Sequence, residues 1–396
     1  MPPLSVCGAN TVRRVVVTGI GALSPLGNTF ARSWESLKAG LTGLGPISSF
    51  DASGLPWRSA GELKGYRPGD HLSRKEILRL DPFVHYAVSA ADMAAADAGL
   101  QSKALSSAAV IVGSSRGGVR TLELRNTSAF VMPASTVSMA ASYTARHLGA
   151  RGHVLGVSNA CASGANAVGE AMRLIKHGHA DVALAGGAEA PVCALCVRGY
   201  GAAGALSRSG VSRPFDARRD GFVIAEGASV LVLEEYGRAE ARGARIYGEV
   251  AGYGNTADAF HLTVPDLEGQ AKAMEAALAE AGLGPADIGY VNAHATSTPV
   301  GDTIEAGAIR RVFGGEVPVS SVKSMTGHML GASAAFEAAV TLMALFEGTI
   351  PPATNLEEPE GGLNYVTQAQ KAALKAAVSN SFGFGGVNAV LVFRRI

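Results

Sequence analysis

Short runs of β-branched and other apolar residues alternate along the chain with longer segments of helical period. Most of the apolar runs close on glycine or a small hydroxyl residue. RRVVVTG (Arg13 to Gly19) predicts a buried strand. GIGALSPLG then reads as a loop, and Phe30 to Ala39 as a short helix. The pattern from Asp81 to Ala98 is helical, with alanine at most positions. AAVIVG (Ala108 to Gly113), HVLGVS (His153 to Ser158) and DVALAGG (Asp181 to Gly187) predict further strands, with a helix from Cys161 to His177. RIYGEVAGYG, GYVNAHA and VPVSSV supply later strands, and Gly269 to Gly282 is an amphipathic helix between the first two. Strands alternating with helices predict an α/β layered fold with largely parallel sheets.

The chain also echoes itself. GFVIAEGASVLVLEE starts at Gly221 and GFGGVNAVLVFRR at Gly383, each a Gly-Phe loop, small residues, then a Leu-Val strand ending in charges. The turns GVSNACASG and YVNAHATST read as a second pair of counterparts. The echo predicts two related halves, 12–250 carrying Cys161 and 251–396 carrying His294 and His328. No Pro- or Ser-rich linker separates them, so tight packing is expected; PPATNLEEPEGG (Pro351 to Gly362) reads as a surface loop.

Composition narrows the function classes. With 396 residues, 47% hydrophobic and 17% charged, the chain has ample core material and is not globally disordered. A net charge of +1 offers no global field for nucleic acid. Four cysteines are too few for a disulfide scaffold and suit a reducing interior. The first fourteen residues lack the basic start and apolar core of a signal peptide, and no stretch suits a membrane span, so a cytoplasmic protein is expected. Cys193-Ala194-Leu195-Cys196 has no second pair to complete a zinc site and reads as packing. Gly19 to Ser24 lacks the third glycine of a dinucleotide fingerprint, and neither a P-loop nor a G-x-S-x-G elbow is present.

Cys161 falls between a predicted strand and a predicted helix. At a helix N-terminus, unpaired N–H groups and the dipole are expected to lower a thiol pKa of about 8.5 by roughly 1.5 units and to hold an oxyanion. On this context alone, a buried cysteine acting as a small apolar residue stays open. His294, in NAHATSTP, and His328, in KSMTGH, both follow strands among small and hydroxyl residues. Either taken alone reads as an ordinary hydrogen-bonded histidine. A cysteine with histidines brought close by the fold is the layout of thiol acyl chemistry.

VNAHATSTPVGD, VKSMTGHMLGASAA, NSFGFGGVNA and RPFDARRDGFVIAEGASVLVLEEY, in that family's order of motifs, resemble the β-ketoacyl-acyl carrier protein synthases of the elongating, synthase II-like type. The resemblance runs from about Arg13 to Ile396. It implies the thiolase fold, five layers α-β-α-β-α in two pseudo-symmetric halves, and a homodimer. It implies an acyltransferase of fatty acid biosynthesis: an acyl group passes from acyl carrier protein to Cys161, and malonyl-carrier protein then loses CO₂ and attacks that thioester. Neutral His294 and His328 would donate N–H groups to the enolate oxygen. Lys323 would hold His328 through the local network, with Glu337 as supporting carboxylate. The N–H groups of Cys161 and Phe384 would form the oxyanion hole, Phe384 would gate the site, and Thr296 and Thr298 would face the pantetheine arm. The implied mechanism needs no metal or other cofactor, since carrier phosphopantetheine bears the substrates. A basic docking patch for the acidic carrier is expected, with Arg208, Arg213, Arg218 and Arg219 as candidates.

Three departures from the family pattern point to an altered acyl preference, for short, polar or unusual groups. Arg116, in GSSRGG, stands where the family usually has glycine or an apolar residue lining the acyl pocket. The stretch from Gly118 to Met132 is shorter than the family's segment, and Asn159 and Ala295 replace the usual Thr or Ser and Gly. Arg116 either enters the pocket or turns to the dimer interface and pairs with an acid. Competing readings are a ketosynthase of a polyketide or secondary-lipid pathway and, from another class, a non-catalytic partner subunit. Retention of Cys161, His294, His328 and Lys323 argues against the latter. A thiolase acting on coenzyme A thioesters fits less well, because its glycine-rich C-terminal cysteine motif is absent.

Overall fold

The computed structural model describes residues 12–124 and 129–396. Cys7, the start of the chain and the middle of the 118–132 stretch lie outside the described residues. In the first half, β1 (Val15–Leu23), β2 (Ala109–Gly113), β3 (Val154–Val157), β4 (Val182–Glu189) and β5 (Gly227–Glu235) lie in the order β1-β5-β4-β2-β3. In the second, β6 (Gly248–Ala257), β7 (Ile288–Asn292), β8 (Pro318–Ser320), β10 (Ala376–Gly383) and β11 (Val387–Arg394) lie in the order β6-β11-β10-β7-β8, with the short β9 (Asn364–Tyr365) outside β8. The two orders are the same once strands are counted within each half. The strand senses match as well: the first and fourth strands flank the fifth antiparallel, and the second lies parallel between the third and fourth. The halves join where β1 pairs with β6 through Val16–Glu249 and Val17–Gly248.

Five helices complete the layers: α1 (Pro82–Asp97), α2 (Ser163–Lys176), α3 (Leu267–Ala281), α4 (Pro299–Phe313) and α5 (Gly331–Glu347). α2 and α5 pack on each other and reach strands of both halves; α1 covers the outer face of the first half, and α3, backed by α4, that of the second. The result is α-β-α-β-α, as the resemblance implied. α5 is apolar and small almost all round, as a helix between two sheets must be.

The sequence echo is half right. The Leu-Val strands after the two Gly-Phe loops are β5 and β11, the fifth strand of each half. The second pairing is corrected by the topology: Cys161 follows β3, a third strand, whereas His294 follows β7, a second strand. The partner of Cys161 in the repeat is His328, which follows β8 and stands just before α5 as Cys161 stands just before α2. The loop expected over GIGALSPLG is also shorter than read, because β1 runs on to Leu23. Gly19 and Gly21 are not turn glycines. A Cβ at Gly21 would lie 2.0 Å from the Ala90 carbonyl of α1, so the helix can sit on the strand only without side chains there. Among the described residues, no helix is long and apolar enough to cross a membrane.

Candidate active site

The two third-strand turns bring the chemistry together. Cys161 sits between β3 and α2, after Ala160, whose φ of 47° is unusual for a residue with a side chain. His328 sits between β8 and α5 and is tied into the neighbouring 222–225 loop: its N–H donates to Val223 O at 2.8 Å, and its carbonyl accepts from Ala225 N at 3.0 Å. Its Nε2 lies 3.0 Å from Cys161 Sγ. Its Nδ1 faces the Ser333 hydroxyl at 3.3 Å, and that oxygen already accepts the Met329 N–H at 2.8 Å. With the Ser333 O–H turned to Nδ1, the ring proton sits on Nε2, toward the sulfur.

His294 completes the set. Its ring packs edge-to-face on His328, centroids 5.4 Å apart, and a nitrogen of each ring and Cys161 Sγ all lie within 4.8 Å of one another. The loop carrying it is held by Glu305 of α4, which accepts from His294 N at 2.8 Å, Ala295 N at 2.6 Å and Asn380 Nδ2 at 3.0 Å. Behind the histidines, Lys323 donates to Glu337, both fully buried. Burial drives both histidine pKa values well below the usual 6.5, and the Lys323 charge adds to the effect. Burial and that charge both favour the neutral rings. Burial also raises the Glu337 carboxyl to about 7 against the pull of Lys323.

The depressed thiol expected at Cys161 is not what the structure gives. Burial pushes it up to about 12, with Lys323 and Arg116 pulling only part of the way back. At that value the resting group is a thiol.

Cys161 opens into a cavity of about 390 Å³ lined also by His294, His328, Thr296, Thr298, Phe222, Tyr200, Arg116 and Phe384. The Thr296 and Thr298 hydroxyls are 3.2 Å apart on its wall. Phe384 is exposed, followed by Gly385 and Gly386 at φ 91° and 72°, a backbone only glycine adopts freely. A Cβ at Gly383 would stand 3.2 Å from Cys161 N, so the Gly-Phe loop lies against the nucleophile's turn. Arg116 lines the cavity, and among the described residues it pairs with no acid. Asn159 bonds Asn166 at 3.0 Å behind the turn, and the Ala295 carbonyl accepts from Ser321 at 2.9 Å.

Of the docking candidates Arg219 is structural, while Arg218 is an exposed residue with surface ion pairs. Arg219 is buried, bonding Thr298 O, Pro299 O, Thr303 and Glu360, and Arg218 pairs with Asp216 and Glu357. Arg208 is exposed. Cys193 and Cys196 are buried in an apolar cluster with Val192, Val197 and Phe222, as the packing reading has it. The sequence reading missed Glu305, Ser333, Tyr200, Phe222 and Glu189. The last was detectable as a carboxylate ending an otherwise small and apolar strand, β4.

Comparison with known proteins agrees with this geometry. The family description "Beta-ketoacyl synthase, N-terminal domain" matches residues 12–239, and "Beta-ketoacyl synthase, C-terminal domain" matches 247–357. The chain is 44% identical to a 3-oxoacyl-[acyl-carrier-protein] synthase 2 of Synechocystis, covering 97% of this chain and 98% of the relative. It is 43% identical to the protein of that name from Vibrio cholerae, covering 97% and 99%. Among solved structures, the ishigamide ketosynthase/chain length factor superposes with a TM-score of 0.93 at 35% identity, over 98% of this chain and 100% of that one. A type II polyketide synthase acyl-carrier protein in complex with its ketosynthase gives 0.89 at 32% identity, over 98% and 100%. The chain belongs to the β-ketoacyl synthase family, with the thiolase fold.

Proposed function

We propose that this protein is a 3-oxoacyl-acyl carrier protein synthase of fatty acid elongation, acting through an acyl thioester on Cys161. The observation that carries the reading is the Cys161 sulfur 3.0 Å from Nε2 of a buried, neutral His328, with His294 packed against that ring.

In the first step Cys161 Sγ attacks the acyl-carrier thioester. The carrier's carbon–sulfur bond breaks, the Cys161 thioester forms, and the thiol proton ends on the released pantetheine thiol. The His328 Nε2–H steadies the sulfur as its negative charge develops, and the N–H groups of Cys161 and Phe384 take the carbonyl oxyanion. In the second step malonyl-carrier protein loses CO₂. Its enolate oxygen is held by N–H groups of His294 and His328, which stay neutral because their protons are hydrogen-bonded and not transferred. The carbanion attacks the acyl carbon, the Cys161 carbon–sulfur bond breaks, and a proton taken from solvent returns to the sulfur. The product is a 3-oxoacyl-carrier protein two carbons longer. Lys323 keeps the histidines neutral, Glu337 holds Lys323 in place, and Thr296 and Thr298 bind the pantetheine arm. Acyl carrier protein is the partner, and no metal or other cofactor takes part.

A homodimer and a cytoplasmic location belong to the same proposal. The dimer is supported by the open edge at β3, where Val154 and Leu155 are 40% and 38% exposed, and by the exposed apolar side chains of Leu122, Leu124 and Met132. The location is supported by free thiols at Cys161, Cys193 and Cys196. Light scattering on the purified protein should return twice the chain mass; a monomer would contradict the dimer. Acyl-carrier protein and malonyl-carrier protein incubated with the protein should yield CO₂ and the elongated 3-oxoacyl-carrier protein. Absence of that product with every acyl donor would contradict the function.

A further inference from the structure

The turn carrying Arg116 is held in place at the cavity beside Cys161, and Arg116 itself is exposed on the cavity wall. Its turn, after β2, is closed by Gly117 N donating to Ser114 Oγ at 3.0 Å, with Gly117 at a φ of 57°. Ser115 N donates to Glu189, and so does Gly331 N at the start of α5, so one buried carboxyl pins the Arg116 turn to the helix behind His328. The side chain then runs into the cavity. Its Nε donates to Ser115 Oγ at 3.2 Å and its guanidinium lies 5.9 Å from the Tyr200 ring centroid. Tyr200 packs edge-to-face on Phe222, and Phe222 on His328, with centroids 5.5 Å and 5.2 Å apart. A row of rings thus links the guanidinium to the histidine that touches Cys161.

Ala160, Ala203, Ala205, Leu330 and Phe382 give the same cavity apolar or small lining, alongside polar residues that include Gln270, Asp302 and Glu305. A guanidinium carries five N–H donors. Among the described residues only Ser115 takes one, and no carboxylate lies within ion-pair distance. A plain alkyl chain laid against the remaining donors strips their water and gives nothing back. A carboxylate meets the same fork with two parallel charge-assisted bonds.

We propose that Arg116 is the polar end of the acyl subsite, so that Cys161 takes acyl groups ending in a carboxylate in preference to plain alkyl chains of the same length. The inference rests on the acyl-Cys161 reading above. The step is the same thioester exchange, with the thiol proton leaving on the carrier's pantetheine, and Arg116 changes only which acyl group is held in register for it.

The test is the rate of acyl-enzyme formation, by quenched intact-protein mass, from adipoyl- and hexanoyl-carrier protein, donors equal in carbon number. Wild type should load adipoyl about tenfold faster or better. Arg116→Ile should reverse the order, and Arg116→Lys, which keeps the charge and loses the fork, should fall between. Thermal melts of the variants confirm that each is folded. Hexanoyl loading as fast as adipoyl in wild type, or an unchanged order in Arg116→Ile, would overturn the inference and leave the acyl-enzyme reading standing. No Cys161 adduct from either donor, nor from an acetyl to palmitoyl series, would overturn both.

Discussion

Glu189 offers a direct test of the buried electrostatics around the nucleophile. Its carboxyl is fully buried and accepts from Ser115 N and Gly331 N. Burial raises its pKa from 4.5 to about 8, against the pull of those N–H groups and of Arg116. Unfolded, the group gives up its proton near 4.5; folded, it holds it to about 8. Between those values the folded state binds the extra proton, so stability falls as pH rises through the window. Each pH unit of it is worth about 1.4 kcal/mol. From pH 6 to pH 8 that comes to about 2 kcal/mol, or roughly 3 °C in melting temperature for a chain of this length. Glu189→Gln keeps an oxygen for both N–H donors and cannot ionise. Its melting temperature relative to wild type should therefore rise by about 3 °C between pH 6 and pH 8, read by fluorescence melts in matched buffers. Parallel melting curves for the two proteins across that range would refute the reasoning.

Four further outcomes follow from contacts described above. Because His294 and His328 both protonate well below 6.5, condensation kcat/KM should hold its value down to pH 6; an acidic limb centred at 6.5 would contradict their neutral burial. Alanine at either histidine should cut decarboxylation of malonyl-carrier protein by about 10²- to 10³-fold while Cys161 still acylates, measured as CO₂ release against adduct mass. Lys323→Met should cost about 3–5 kcal/mol in denaturant melts by stranding Glu337, and Lys323→Met with Glu337→Leu should recover more than half; additive losses would mean the pair is not coupled. Gly21→Val should cost about 3 kcal/mol or more by the same measurement, because its side chain would meet the α1 backbone at Ala90 and Ala94.

The elements with a clear period were legible from sequence. The helix read over Asp81 to Ala98 is α1, with Asp81 as its N-cap, and the one read over Gly269 to Gly282 is α3. What failed was pairing across the repeat. Every strand-to-helix turn in this fold has a similar small-residue pattern, so GVSNACASG matched YVNAHATST by local chemistry, and only strand order assigns Cys161 to His328. Gly19 and Gly21 were misread for a related reason: a glycine that admits a neighbouring helix looks, in sequence, like one that makes a turn. Cys161, His294, His328 and Lys323 could be named because each stands in a dense motif. Glu305, Ser333 and Glu189 act through hydrogen bonds to turns that only the folded chain brings to them, and no spacing in the chain marks such contacts. The thiol was misjudged because a helix terminus is visible in sequence and desolvation is not.

The central claim is an acyl thioester on Cys161, and intact-protein mass after incubation with acyl-carrier protein tests it most directly. Wild type should gain the mass of one acyl group per chain, located by peptide mapping to Cys161, and discharge it when malonyl-carrier protein is added. Cys161→Ala should gain nothing. An adduct that survives Cys161→Ala, or a wild type that makes 3-oxoacyl product with no adduct at Cys161, would contradict the account.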